Sequence, residues 1–308
     1  MPRLSSHTTA GIQMFELLGI PPQALFGQLL LGLINGSFYA ILSLGLAVIF
    51  GLLNIINFTH GAQYMLGAFV TWMLLNYLGV NYWWSLLIAP VVVGITGIIL
   101  ERLFIRRLYH LDHLYGLLLT FGLALITTGV FKQIYGVSGL PYQAPPLLSG
   151  GHNLGFMYLP NSRAWVIIAS AVVCLATWFV IEKTRLGAYL RAATENPTLV
   201  GAFGVNVPLM ITLTYGFGVA LAGFAGVLAA PIYAINPVMG ENLIIVVFAV
   251  VVIGGMGSIL GSIVTGFGLG LIEGLTRVFY PEGSAVVIFV IMALVLLVKP
   301  AGLFGRTA

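Results

Sequence analysis

The sequence predicts an all-α, polytopic helical membrane protein on three observations. Of its 308 residues 60% are hydrophobic, only 6% are charged, and the stretch from residue 17 to residue 100 holds no Asp, Glu, Lys or Arg. A soluble domain carries roughly 25% charged residues, so this chain cannot cover itself with a water-compatible surface. As helix, the uncharged stretch would reach roughly 125 Å at ~1.5 Å per residue, several times the ~30 Å of a hydrocarbon core. It therefore crosses and recrosses a bilayer as helices, which satisfy their own backbone amides where lipid offers no partner. A soluble enzyme and a nucleic-acid module are excluded. So is a disulfide scaffold, since Cys174 is the sole cysteine. The net charge of +4 reports loop orientation rather than an acidic ligand.

Residues 1–24 hold Arg3, Glu16 and Pro21-Pro22 but no apolar core followed by a small-residue cleavage site, so the first span is expected to target the chain. Residues 25–308 read as a single transmembrane domain. Apolar runs suited to crossing lie at 25–51, 61–79, 84–101, 114–134, 164–182, 208–234, 242–258, 260–277 and 285–299. Several are shorter than ~20 residues, and 242–277 reads as two spans or one broken helix, which gives eight to nine spans. Arg102, Arg106 and Arg107 share one connection, Lys183, Arg185 and Arg191 another, and Lys299 and Arg306 close the chain, so all three are assigned to the cytoplasm. Two spans separate the first basic loop from the second, and four separate the second from the C-terminus. Both numbers are even, as a common side requires. Counting back from Arg102 places the N-terminus outside, unless residues 54–61 are a re-entrant segment. The connection 135–163, with Pro141, Pro145, Pro146, Gly150 and Gly151 and only Arg163 charged, is expected as a periplasmic loop.

Polar residues at membrane depth are the functional candidates. The run Asn54-Ile55-Ile56-Asn57-Phe58-Thr59-His60-Gly61 follows the first span, and its amides and imidazole need protein partners or a water-filled cavity. Asn54, Asn57, Phe58 and His60, with Asn35 inside the first span, are the candidate translocation-path residues. The competing reading of the run is a hydrogen-bonded turn. Gly32 and Gly36 beside Asn35, Ser37 and Tyr39 form a small-xxx-small pair whose simplest use is close helix packing. Glu273 is the one acid well inside a late apolar run, and Arg277 stands at the favourable i+4 spacing for a structural ion pair. Proton coupling would require more than one such acid, which weakens a secondary-transporter reading.

Gly254-Gly255-Met256-Gly257-Ser258, with Gly261, resembles a phosphate loop only superficially, because no Gly-Lys-Ser or Gly-Lys-Thr occurs in the chain. Gly254, Gly255, Gly257 and Gly261 are read instead as a tight turn or helix crossing. The histidines are scattered over different loops, so no metal site, catalytic pair or cofactor is expected. The connection 183–207 is long. Gly187–Asn196 favours helix, with Arg191 and Glu195 at i and i+4, Pro197 can open a new first turn, and Gly201 and Gly204 allow a bend. Its mixed small, charged and aromatic composition suits a docking knob for a cytoplasmic partner.

Four blocks, in order, carry a resemblance over nearly the whole chain from about residue 25. They are Ile56-Asn57-Phe58-Thr59-His60-Gly61, Arg191-Ala192-Ala193-Thr194-Glu195-Asn196 before Gly201 and Gly204, Gly254-Gly255-Met256-Gly257-Ser258, and Lys299-Pro300-Ala301-Gly302-Leu303-Phe304-Gly305-Arg306. The sequence resembles the membrane-spanning permeases of branched-chain amino acid ABC importers, with Thr59 in place of the alanine common there. The resemblance implies a multi-pass permease of the bacterial inner membrane, without enzymatic activity of its own. It implies as partners a second homologous permease, two cytoplasmic ATPase subunits and a periplasmic substrate-binding protein, with no nucleic acid. Residues 185–206 would supply the ATPase-coupling element, including Arg185, Gly187, Arg191, Glu195, Asn196, Gly201 and Gly204. Branched-chain amino acids are the expected substrates, with urea and short amides as the alternative. A self-sufficient channel or secondary transporter is the alternative of a different class.

Overall fold

The computed structural model describes residues 21–53, 56–109 and 111–305. The expectations placed on residues 1–20, Asn54 and Arg306 lie outside the described residues. The described chain is built from helices α1 (Pro22–Leu53), α2 (Thr59–Leu78), α3 (Tyr82–Leu103), α4 (His113–Tyr135), α5 (Asn161–Lys183), α6 (Arg185–Glu195), α7 (Pro197–Ala202), α8 (Val207–Ala229), α9 (Met239–Gly254), α10 (Ile259–Phe279) and α11 (Val287–Val298). Each apolar run of the sequence is a helix. Six of them, α1, α3, α4, α5, α8 and α10, are long and apolar enough to cross a membrane, whereas α9 and α11 are shorter apolar helices. The first helix starts at Pro22 rather than at residue 25, since proline's fixed φ and missing N–H suit a first helical position. Asn81 and Asp112 accept the Trp84 and Leu114 amides to cap α3 and α4.

Helices α1 and α8 form the centre, with 83% and 72% of their apolar windows buried against 17% for α4, which faces outward. The most extensive contact is that of α1 with α10. There Gly32 and Gly36 meet Gly266, Gly270 and Gly274 so closely that a methyl group on Gly270 would overlap the Gly32 carbonyl. Lipid gives helices no hydrophobic reason to associate, so backbone-to-backbone packing of this kind holds them together.

The two ends of the bundle differ in charge. Gly51 packs on Gly257, Arg106 and Tyr109 lie beside Pro197 and Thr198, and the Leu303 and Phe304 amides donate to the Ile253 and Gly254 carbonyls at 2.8 and 3.1 Å. All three basic segments thus gather at one end, as the even span counts require. At the other end, the 135–163 connection folds into a short hairpin, β1 (Gly151–Asn153) with β2 (Tyr158–Pro160), and Leu140 pairs with Ile235. Phe26 near the start of α1 packs on Phe156 of this loop, ring centroids 5.7 Å apart. The start of α1 therefore lies opposite the basic end. After α1 the chain turns back into the bundle, and α2 begins at the depth of Leu42, about two thirds of the way along α1.

Candidate functional site

Three features converge on the helix framework: the polar break before α2, a cavity near the hairpin end, and the surface at the basic end. In the break, Asn57, Thr59 and Gln63 close a ring. The Asn57 amide donates to Gln63 Oε1 at 3.3 Å, the Gln63 amide to Thr59 Oγ1 at 3.2 Å, and the Thr59 hydroxyl to Asn57 Oδ1. Thr59 thus supplies a hydroxyl that an alanine could not. His60 places Nε2 2.9 Å from the Leu42 carbonyl, and since a carbonyl only accepts, Nε2 carries the proton. Asn57 and His60 are both fully buried and line neither of the two cavities described below. Phe58 stacks on Phe248 at 4.6 Å and borders an apolar cavity of about 290 Å³ between α2, α4 and α9. Gln63 had no signal in the sequence beyond its position one turn after Thr59.

Asn35 faces a second cavity, of about 320 Å³, with Phe38, Tyr39, Tyr64, Tyr233, Asn236, Met239, Leu243, Glu273 and Arg277. The Glu273–Arg277 pair forms, Nη2 to Oε1 at 2.5 Å, and the Tyr39 hydroxyl donates to Glu273 Oε2 at 2.8 Å. Glu273 is buried and Arg277 is 39% exposed. Close packing of Gly32 and Gly36 turns this face of α1 toward α10 and brings Tyr39 to the carboxylate.

At the basic end α6 and α7 form a shelf. Asn196 caps α7 by accepting the Leu199 amide at 2.9 Å, and Gly204 sits at φ 83°, a left-handed turn that leads into α8. Gly187 lies directly on the Ile181 carbonyl, where no side chain fits. Arg191 does not pair with Glu195. Its Nη1 donates to the Ile181 carbonyl at 2.8 Å and lies 3.7 Å from Glu182, because α6 folds back along the end of α5 and turns Arg191 toward it. Glu195 has no ion-pair partner among the described residues. Ala193, Val200 and Val207 bury the shelf's inner face, while Tyr189, Leu199 and Phe203 stand exposed, Phe203 at 79%. Arg185 and Gly201 are likewise exposed.

Behind the shelf, buried Glu101 accepts from the Tyr109 hydroxyl at 2.5 Å and from Thr212 Oγ1 at 2.8 Å. Burial, and next the bond to Glu101, push the Tyr109 phenol above its ordinary range. The glycine turn joins α9 to α10, with Gly255 at φ 100° and Ser258 Oγ accepting the Gly261 amide at 3.1 Å. Gly254 packs on Gly261, and Gly255 on Gly302 and Gly305, so two of the sequence blocks meet here. Among the described residues no group of His, Cys, Asp and Glu is arranged to hold a metal ion.

Residues 28–296 match the family described as branched-chain amino acid transport system / permease component. The chain belongs to this family. The permease is similar to the high-affinity branched-chain amino acid transport system permease protein LivH of Escherichia coli K12, 31% identical over 294 residues that cover 91% of this chain and 95% of LivH. It is similar to BraD of Pseudomonas aeruginosa, which bears the same description, at 30% identity over 91% of this chain and 95% of that one. LivM of E. coli K12, another permease protein of a system so described, is 29% identical over 87% of this chain and 68% of its own length. No solved structure matches the permease. It is a multi-pass membrane protein.

Proposed function

We propose that the chain is the membrane-spanning subunit of an ABC importer that moves branched-chain or related small amino acids inward, with ATP hydrolysed by separate subunits. The match along nearly the full length to proteins described as permeases of branched-chain amino acid transport carries this reading. Two permeases of E. coli K12, LivH and LivM, both resemble this chain, which supports pairing with a second, homologous permease. Two cytoplasmic ATPase subunits and a periplasmic binding protein complete the complex, in the bacterial inner membrane. Nine helices of the described residues, α1 to α5 and α8 to α11, enter or cross the bilayer, with α2 starting inside the bundle.

The shelf from Arg185 to Gly204 seats against an ATPase subunit. Its contact groups are Arg185, Glu195, Leu199 and Phe203, while Gly187, Arg191, Asn196 and Gly204 set its shape; Gly201 is an exposed position of α7 with open space around it. Asn35 and Phe58 face cavities on the substrate's route. Asn57 and His60 hold the break that lets α2 start inside the bundle. Gly254, Gly255, Gly257 and Gly261 make the turn on which the C-terminal segment docks.

Reconstitution tests the reading. Liposomes with both permeases and the ATPase subunits, supplied with loaded binding protein, are expected to accumulate leucine only with ATP. Leucine flux through this chain alone, driven by a gradient, would reject the proposal in favour of a self-sufficient channel or secondary transporter.

A further inference from the structure

The cavity between α1, the 230–238 connection and α10 has a composition that packing does not explain. Its volume of about 320 Å³ sits at the lower end of the ~300–1,000 Å³ of small-molecule sites. Among the described residues its wall carries one acid and one base, and no other charge. Glu273 uses one lone pair of each oxygen, on Arg277 and Tyr39, so two of a carboxylate's roughly four acceptor positions stay open. Arg277 donates to Glu273 alone among the described residues, which leaves most of its five N–H donors free for a second carboxylate. The side chains of Asn35 and Tyr233 make no hydrogen bond among the described residues, yet both face the cavity. A pair that served only to brace α10 would be complete with Tyr39 and would need no open volume beside it.

Resting on the permease reading above, we propose that this cavity is a zwitterion-binding station on the permease itself. Arg277 takes the α-carboxylate, Glu273 and Asn35 take the α-ammonium, and Phe38, Met239 and Leu243 receive an apolar side chain. A site whose own charges sum to zero matches a ligand whose charges sum to zero. Urea or a short amide carries no charge to meet the open acceptor positions of Glu273 and the free donors of Arg277, so the cavity favours amino acids over the alternative substrates.

The lone cysteine, Cys174, is buried, so a thiol placed in the cavity can be read by a membrane-impermeant maleimide with little background. Asn236→Cys is introduced into the assembled transporter without binding protein, so that protection reports the permease alone. Leucine is expected to slow modification roughly tenfold at about ten times its dissociation constant. Isoamylamine and 4-methylpentanoate, which each lack one charge, are expected not to protect at the same concentration. Arg277→Gln, combined with Asn236→Cys, is expected to abolish protection by leucine. Ala234→Cys, also on the cavity wall but without a role in the proposed site, serves as reporter if the first variant does not assemble.

Absence of protection by leucine, equal protection by either singly charged analogue, or protection by urea in place of leucine overturns the proposal. ATP-driven leucine uptake by the complete complex separates the two levels. Uptake without protection rejects the station and keeps the permease reading, whereas absence of uptake rejects that reading.

Discussion

At Asn57 the side-chain amide commits both ends inside the chain, its nitrogen to Gln63 and its oxygen to Thr59. Leucine at this position would leave a donor on Thr59 and an acceptor on Gln63 unpaired in a buried setting, at about 1–3 kcal/mol for each group. Asn57→Leu is therefore expected to lower the amount of assembled permease while transport per assembled complex stays near wild type, which quantified membranes and uptake together would show. Assembly at wild-type level with lost transport would return Asn57 to the substrate's path. Tyr109 offers a test in pH. Its bond to the buried Glu101 carboxylate contributes about 1.5–3 kcal/mol, the usual range for a hydrogen bond to a charged group. Because folding raises the phenol's pKa, this contribution is fully present below the unfolded value of ~10 and is lost as pH rises through the higher folded one. The stability gap between wild type and Tyr109→Phe, measured by denaturant in detergent, should be constant around neutrality and narrow above pH ~10. A gap that widened with pH would contradict the assigned proton.

Among helices, the crossing of α1 with α10 carries the largest share of the packing, and its close approach depends on residues without side chains. Gly270→Ala places a methyl group against the Gly32 carbonyl, an overpacking expected to cost about 1–3 kcal/mol. A lowered unfolding midpoint for the purified permease would show it, and an unchanged midpoint would mean that the helices part without loss. The helices themselves were legible in the sequence, because lipid imposes hydropathy on every spanning segment regardless of its neighbours. The α6–α7 break was legible for a local reason too, since Asn196 and Pro197 carry their own capping chemistry. What spacing could not give was direction. Arg191 and Glu195 have the i, i+4 separation of a pair, yet Arg191 bonds to Ile181 and Glu182 because α6 turns back on α5. The depth at which α2 begins depends likewise on a partner far along the chain, the Leu42 carbonyl. The cavity at Glu273 was half legible: the ion pair could be read from its spacing, but Tyr39 and Asn35 arrive from α1 through the glycine packing.

Across the whole molecule, the cavity of Asn35 and Arg277 lies toward the hairpin end and the shelf lies at the basic end, with α1 and α8 running through the interior between them. On the proposed reading, a subunit that moves substrate under ATP hydrolysed by a partner at the basic end needs a surface on which that hydrolysis can act. The shelf has that surface. Phe203 is 79% exposed and Leu199 55%, although both belong to a segment that the positive-inside rule places in water. Exposed apolar groups beside Arg185 and Glu195 form a patch of mixed chemistry that the proposed ATPase docking would cover. Neither Phe203→Ser nor Glu195→Lys removes an ion pair from the described chain, so neither should disturb insertion or folding. The exposed pair of Arg191 with Glu182 is itself worth only about 0.2–1 kcal/mol, too little for the shelf's fold to depend on surface charge. Both variants are therefore expected to give normal amounts of permease from which the ATPase subunits fail to co-purify, or to which they bind without substrate-stimulated hydrolysis. Arg191→Ala is expected to act differently, through a loosened α6, and to be partly rescued by Arg191→Lys, which can still reach the Ile181 carbonyl. Wild-type co-purification together with wild-type stimulated hydrolysis in both Phe203→Ser and Glu195→Lys would show that the segment is only a solvated connection and that coupling must run through the glycine turn and the C-terminal segment docked on it.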